Sequence, residues 1–358
     1  VLLLGVVGFL GSMPILILCL FGGILADRLN KRKILIATQI IFMCLAFTLA
    51  ILTQFKVIAP YQIMIIAVLN GIVMAFDAPA RQSIVVELVG KSNLFNAIAL
   101  NSVAFNSSRI IGPALAGILI ATIGMSGCFY INGVSFLAVI IALYSIRITH
   151  VHNVLKSNSA FMDLKDGLNF IKNNRLILAL IAMVGVVSLF GVAHVVLMPV
   201  FANDVLKVGI KGLGVLMSAA GCGALFGALI LARLGDFKYK GKLLLSSAMI
   251  FSLSLIMFSL SKAYLLSIFV LILIGFSSVT AVALVNTLLQ TKVEDRFRGR
   301  VMSVFMITFA GMMPFGNLIA GGLAHTMGAS FAVMSGGIVC ALFFAVVSIV
   351  YPAIAKIS

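Results

Sequence analysis

The stretch Gly22-Gly23-Ile24-Leu25-Ala26-Asp27-Arg28-Leu29-Asn30-Lys31-Arg32-Lys33 divides two apolar runs, residues 5–26 and 34–53. Each run has the ~20 residues that carry an α-helix across a bilayer. Arg28, Lys31, Arg32 and Lys33 mark a short loop held on the cytoplasmic face, where Lys and Arg concentrate. Gly22 and Gly23 at the end of the span permit close approach of another helix. Asp27 is the informative residue. A carboxylate at a helix C-terminus opposes the dipole of its own helix. It fits if it faces the N-terminus of a neighbouring helix or a cation. The plainer alternative is a surface acid inside a stop-transfer cluster.

The rest of the chain follows the same pattern. Of 358 residues, 63% are hydrophobic and 9% charged, against roughly 45–50% and roughly 25% in soluble domains. This balance excludes a water-soluble enzyme, a disordered chain and a disulfide scaffold. Eleven apolar runs are found, at 5–26, 34–53, 61–79, 94–121, 127–146, 176–202, 212–234, 243–261, 264–289, 301–324 and 329–351. Backbone groups in lipid must bond within the protein, and runs of this length do so as helices. The fold class is therefore all-α and polytopic. A net charge of +16 would suggest nucleic acid in a soluble chain. Here no basic run lies outside a short loop, so the bilayer is the expected partner and nucleic acid is not. Cys19, Cys44, Cys128, Cys222 and Cys340 form no close pair, so neither a disulfide framework nor a metal site is expected. Val1 has no basic segment before the first apolar run, and no signal peptide is expected.

Basic residues assign the sides. Twenty of the 25 Lys and Arg fall on alternate loops, beginning with the one quoted above, and only Lys56, Lys207, Lys211 and Lys262 fall on the opposite loops. That asymmetry places the first set, and the C-terminus, in the cytoplasm. The expected organisation is an N-terminal bundle over 1–146, a cytoplasmic linker over 147–175 and a C-terminal bundle over 176–358. In the linker, Phe161, Leu164, Leu168 and Ile171 recur at helical spacing. They predict either an amphipathic helix on the membrane surface or an ordinary linker helix. The two bundles look related. Asp27 and Asp236 each open a basic loop 209 residues apart, and Gly112-Pro113 with Gly117 recurs as Pro314, Gly316 and Gly321. Such a repeat points to a two-half transporter. Symmetry places one further span before Val1, giving twelve in the whole protein.

The quoted loop resembles the signature loop of the major facilitator superfamily, G-x-L-A-D-R-x-G-R-K, with Asn30 in place of Gly and Lys31 in place of Arg. Phe76-Asp77-Ala78-Pro79-Ala80-Arg81-Gln82-Ser83, Glu87-Leu88-Val89 and Asn96-Ala97-Ile98-Ala99-Leu100-Asn101-Ser102 narrow the likeness. They resemble the subgroup of enterobactin exporters and macrolide efflux proteins, the transmembrane secretion effectors. Glu294 to Arg300, followed by Val301-Met302-Ser303, fits the same subgroup. The likeness covers nearly the whole chain and aligns Val1 just before the second family helix. It implies that Gly23, Asp27 and Arg28 belong to a latch in which Asp27 caps a helix of the other half and joins Lys31 and Asp77. Lys31 keeps the charge of the usual Arg but loses its bidentate fork. Glu294 and Arg300 are expected to form gate salt bridges. Ser108-Arg109-Ile110-Ile111-Gly112-Pro113-Ala114-Leu115-Ala116-Gly117 resembles the antiporter motif G-x-x-x-G-P-x-x-G-G, which in the superfamily goes with exporters. Its plainer reading is small-residue packing around a proline.

Arg109 lies near the middle of its span, where a cation costs about 2.5–3.5 kcal/mol on insertion scales. It is expected to face a cavity, a carboxylate or the cargo. His194 could relay protons or be a hydrogen-bonded structural residue. Asn101, Asn106, Asn132 and Asn317 are polar groups within spans that bond between helices or line a pathway. No phosphate-binding Gly-rich loop and no nucleophile–His–acid set stands out, so no catalysis, cofactor or ATP drive is expected. The sequence reading is a monomeric exporter of amphiphilic small molecules in a bacterial cytoplasmic membrane, driven by proton antiport. The alternatives are a lipid flippase of the same fold and a non-transporting scaffold or sensor.

Overall fold

The computed structural model describes residues 1–89, 94–145, 160–234 and 237–356, a minority of them by backbone alone. All regular elements among them are helical: α1 (Leu2–Arg28), α2 (Lys31–Gln54), α3 (Pro60–Val89), α4 (Leu94–Ser145), α5 (Ala160–Asn173), α6 (Arg175–Val186), α7 (Ala193–Val200), α8 (Gly209–Leu234), α9 (Lys240–Leu260), α10 (Tyr264–Lys292), α11 (Asp295–Met327), α12 (Ala329–Val350) and a closing 3-10 turn (Ile354–Lys356). Among the described residues, nine helical segments are long and apolar enough to cross a membrane. They expose large apolar side chains, with Leu265 79%, Ile349 77% and Ile141 63% exposed. Water disfavours such a surface and lipid accepts it. The chain is a multi-pass membrane protein.

Two spans depart from simple helices. The runs at 94–121 and 127–146 are joined within α4 and separated by Gly124, whose φ of +77° and ψ of 173° break the helix. Only glycine adopts that conformation without strain. The run at 176–202 is α6 and α7 with π turns at Val187–Gly191 and Phe201–Val205. Pro199, inside α7, withholds the N–H that the ladder needs, and the second π turn follows it. Single π turns inside long helices mark functional or strained places more often than plain packing.

The helices form two compact units. The larger comprises Val1–Phe9, Asn106–Gly117 and Asn158–Ser358, and the smaller Leu10–Phe105 and Ile118–Ser157. The division passes through α1 and α4 themselves. In the larger unit, α8 and α10 pack backbone against backbone: a Cβ on Gly223 would collide with the Ile272 carbonyl, and one on Gly275 with the Ala220 carbonyl. Phe201, Phe251, Phe258 and Phe344 are fully buried around this pair. α5 lies along α11. Ile171 is 3% exposed, Phe170 stacks on Phe297 with ring centres 4.4 Å apart, and Gly167 brings its backbone against Arg300. The described part of this amphipathic helix thus buries its apolar face on protein, while Leu168 stays exposed; Phe161 and Leu164 lie outside the described side chains. At the end of the chain, Ile354 is fully buried and its carbonyl sits where a side chain on Gly241 would be.

In the smaller unit, α2 is the hub. Phe42 stacks on Phe136 of α4 at 5.7 Å, and Tyr130 of α4 donates to Gln54 at 2.6 Å. Arg32 donates to the carbonyl of Tyr144 at 2.6 Å and lies over its ring. Its charge therefore sits on the C-terminal turn of α4, where the helix dipole favours a cation.

Candidate functional site

Two helix crossings in the larger unit lie at the ends remote from the basic loops. At the first, α1 meets α11. A Cβ on Gly5 would lie 2.6 Å from the Asn317 carbonyl oxygen and 2.7 Å from Gly321 Cα. At the second, α8 meets α4. A Cβ on Gly214 would lie 2.6 Å from the Pro113 carbonyl oxygen and 3.2 Å from Gly117 Cα. The same atoms, one helical turn apart, touch in both places. Gly5 and Gly214 are 209 residues apart, the spacing of Asp27 and Asp236. The crossings are therefore one contact made twice, by equivalent helices of the repeat. No side chain other than hydrogen fits at these points, which lets the backbones close on each other.

Polar groups beside the crossings differ. At the α4–α8 crossing, Ser218 donates to the Ile110 carbonyl at 2.7 Å. At the α1–α11 crossing, the Asn317 carboxamide lies over Gly8. Asn317 is 4% exposed, and its Oδ1 has no hydrogen-bond partner. An unpaired buried polar atom costs about 1–3 kcal/mol. Phe9 of α1 and Phe315 of α11 meet edge to face between the same two helices, with ring centres 6.0 Å apart.

The antiporter-like stretch is divided by this geometry. Pro113 and Gly117 face α8, whereas a Cβ on Gly112 would meet nothing within 4 Å and Ser108 is exposed. Gly112 therefore belongs to a different face from the packed pair. The side chains of Arg109 and Asn106 lie outside what the structure describes, as do the surroundings of Gly23, Asp27 and Arg28 and the whole of Asp236.

The smaller unit holds the described end of the expected charge network. Asp77 is 2% exposed. Its Oδ1 accepts from Thr38 Oγ1 and Gln39 Nε2, each at 2.8 Å. Its Oδ2 accepts from Arg81 Nε at 3.0 Å and Nη2 at 2.9 Å. The cation on Asp77 is thus Arg81, one turn along the same helix, rather than Lys31. Both guanidinium nitrogens converge on that one oxygen, a contact the single ammonium of a lysine cannot make. Asn30 also gains a role: its side chain accepts the Lys33 N–H at 3.2 Å and caps α2.

The remaining candidates scatter. His194 packs edge-on to Phe251 of α9, and its Nδ1 is 2.7 Å from the Gly191 carbonyl at the first π turn. His194 is buried, tied to its own helix and packed against α9. Asn101 and Asn132 are exposed. Glu294 is exposed at the start of α11, and Arg300 lies over the Phe297 ring at 5.9 Å. Among the described residues, no three His, Cys, Asp or Glu come together as a metal site would require. Sequence reasoning missed Gly5, Gly214 and Ser218, although Gly214 and Ser218 share the four-residue spacing of small residues on one helix face. It also missed Thr38 and Gln39, whose only signal was polarity within an apolar run.

Comparison with known proteins agrees with this architecture. A sequence profile described as "Transmembrane secretion effector" matches residues 2–356. The chain is 27% identical over 344 residues to the staphyloferrin A transporter of Staphylococcus aureus, covering 94% of this chain and 85% of that one. It is 23% identical over 334 residues to the multidrug efflux pump Tap of Mycolicibacterium fortuitum, with 90% and 81% covered. It is 24% identical over 312 residues to the enterobactin exporter EntS of Escherichia coli, with 86% and 73% covered. The fold is similar to that of the nucleoside transporter NupG, with a TM-score of 0.72, 14% identity and 100% and 91% of the two chains covered. It also resembles a bacterial homologue of the lysosomal transporter Spinster in an inward-facing, occupied conformation, with a TM-score of 0.70, 15% identity and coverage of 99% and 90%.

Proposed function

The chain belongs to the transmembrane secretion effectors of the major facilitator fold, and from this we propose that it exports amphiphilic small molecules across a bacterial cytoplasmic membrane by alternating access. The observation that supports this reading most directly is the doubled glycine crossing. Gly5 with Gly321, and Gly214 with Gly117, are positions where two helices touch through backbone alone. Contacts of that kind can part and re-form without repacking side chains. With the basic loops in the cytoplasm, both crossings lie toward the outer face and act as an outer gate. The C-terminus then lies in the cytoplasm.

Siderophores and drugs name the cargo of the relatives above, and the proposed cargo is of that amphiphilic class. The proposed drive is proton antiport, which rests on the likeness of Ser108–Gly117 to the antiporter motif. Asp77 with Arg81, Thr38 and Gln39 holds α2 to α3 next to the signature loop, and Asp27 and Lys31 form the part of the latch that opens. His194 is assigned a structural role. The protein acts as a monomer, with each half supplying one helix to each crossing.

The test is export from efflux-deficient bacterial cells loaded with labelled siderophores, macrolides or cationic dyes. Expression is expected to lower accumulation, and a protonophore is expected to restore it. Gly214→Trp is expected to abolish export while the protein remains in the membrane, since an indole cannot enter the crossing. Unaltered accumulation across the panel would leave lipid scrambling as the assay to run next. Normal export by Gly214→Trp would remove the gate from the reading.

A further inference from the structure

The two crossings share a backbone geometry but not a polar environment. Where α4 meets α8, the exposed carbonyl of Ile110 has its donor, the Ser218 hydroxyl at 2.7 Å. Where α1 meets α11, Asn317 takes the place that Pro113 holds in the other contact, and its carboxamide lies at Gly8 with Oδ1 lacking any partner. More than nine-tenths of Asn317 is buried. An apolar residue of similar shape would fill the same space without leaving an acceptor unpaired. Phe9 and Phe315 meet edge to face between the same two helices and offer apolar surface there.

We infer that Asn317 is a recognition residue for a hydrogen-bond donor on the cargo, a hydroxyl, amide N–H or amine, received at the α1–α11 crossing while Phe9 and Phe315 hold the apolar body. The inference rests on the transport reading above. It makes the two crossings unequal. One is satisfied internally, and the other is completed by what passes. A site built to pair with a donor discriminates strongly against an analogue that lacks one, because the buried acceptor is then left alone.

The test compares two lipophilic cations in efflux-deficient cells: ethidium, which carries N–H donors, and tetraphenylphosphonium, which carries none. The wild type is expected to export ethidium in preference. Asn317→Leu is expected to lower ethidium export about tenfold, as the loss of one buried hydrogen bond to cargo would, and to change tetraphenylphosphonium export less than about twofold. Asn317→Ser, which keeps an acceptor, is expected to retain most of the ethidium preference. The melting temperature of purified Asn317→Leu is expected to equal or exceed that of the wild type, because an orphaned acceptor has been removed. Equal loss for both cations, loss for neither, or a lower melting temperature would overturn the inference and leave the transport reading standing. A wild type that moves neither cation would count against the transport reading itself, and the inference would fall with it.

Discussion

Asp77 accepts four hydrogen bonds from three side chains of one compact unit, so its carboxylate is held by the fold whether or not a latch forms beside it. Arg81 is 52% exposed and pays little to be desolvated. Arg81→Ala is expected to cost about 1–2 kcal/mol, the scale of a hydrogen bond to a charged group discounted for solvent screening. Thermal unfolding in detergent would read this, with Arg81→Lys falling between the two because it keeps the charge without the fork. Gln39→Leu is expected to cost a similar amount by leaving part of a buried carboxylate unpaired. Asp77 was legible in the sequence because the Phe76–Ser83 stretch resembles a known motif. Its partners were not: Thr38 and Gln39 sit in an apolar run, and nothing in a linear reading says which face of α2 turns to α3. The packing of His194 on Phe251 was hidden for the same reason.

At the scale of elements, the span boundaries were the most legible feature, since lipid demands long apolar runs and charges end them. Irregularities within spans were less so. Gly124 is one of 32 glycines, and only its φ of +77° reveals that it breaks α4. Gly124→Ala is expected to destabilise by about 1–3 kcal/mol, the cost of holding a non-glycine residue in such a conformation, measurable as a lower melting temperature. The two π turns around α7 were not legible either, because which carbonyl goes unpaired near Pro199 depends on neighbouring helices. The α8–α10 contact carries the strongest expectation. Gly275→Val would drive a side chain into the Ala220 carbonyl, and overpacking of this kind costs about 1–3 kcal/mol or more. Reduced accumulation in the membrane and an aggregated elution profile would be the signs. An unchanged profile would mean that the two helices separate more readily than their backbone contact suggests.

For the whole molecule, the repeat was visible in Asp27 and Asp236, yet the residues that use it were not. Gly5 and Gly214 stand at the same 209-residue spacing, but pairing each with its partner on α11 or α4 requires the fold. The closing turn of the chain was likewise invisible in sequence, as Ile354 follows a proline and reads as a tail. It is fully buried against α9, and Ile354→Ala is expected to cost about 2–5 kcal/mol, visible as a lower melting temperature. The doubled crossing has a last consequence. The surface that α1 offers to α11 is the surface that α8 offers to α4, which is the isologous relation found when two identical subunits pair about a twofold axis. A single chain built this way carries a dimer interface folded into itself. A bulkier residue accepted at one glycine would leave the two sides mismatched, and restoring the balance would require the equivalent change about two hundred residues away.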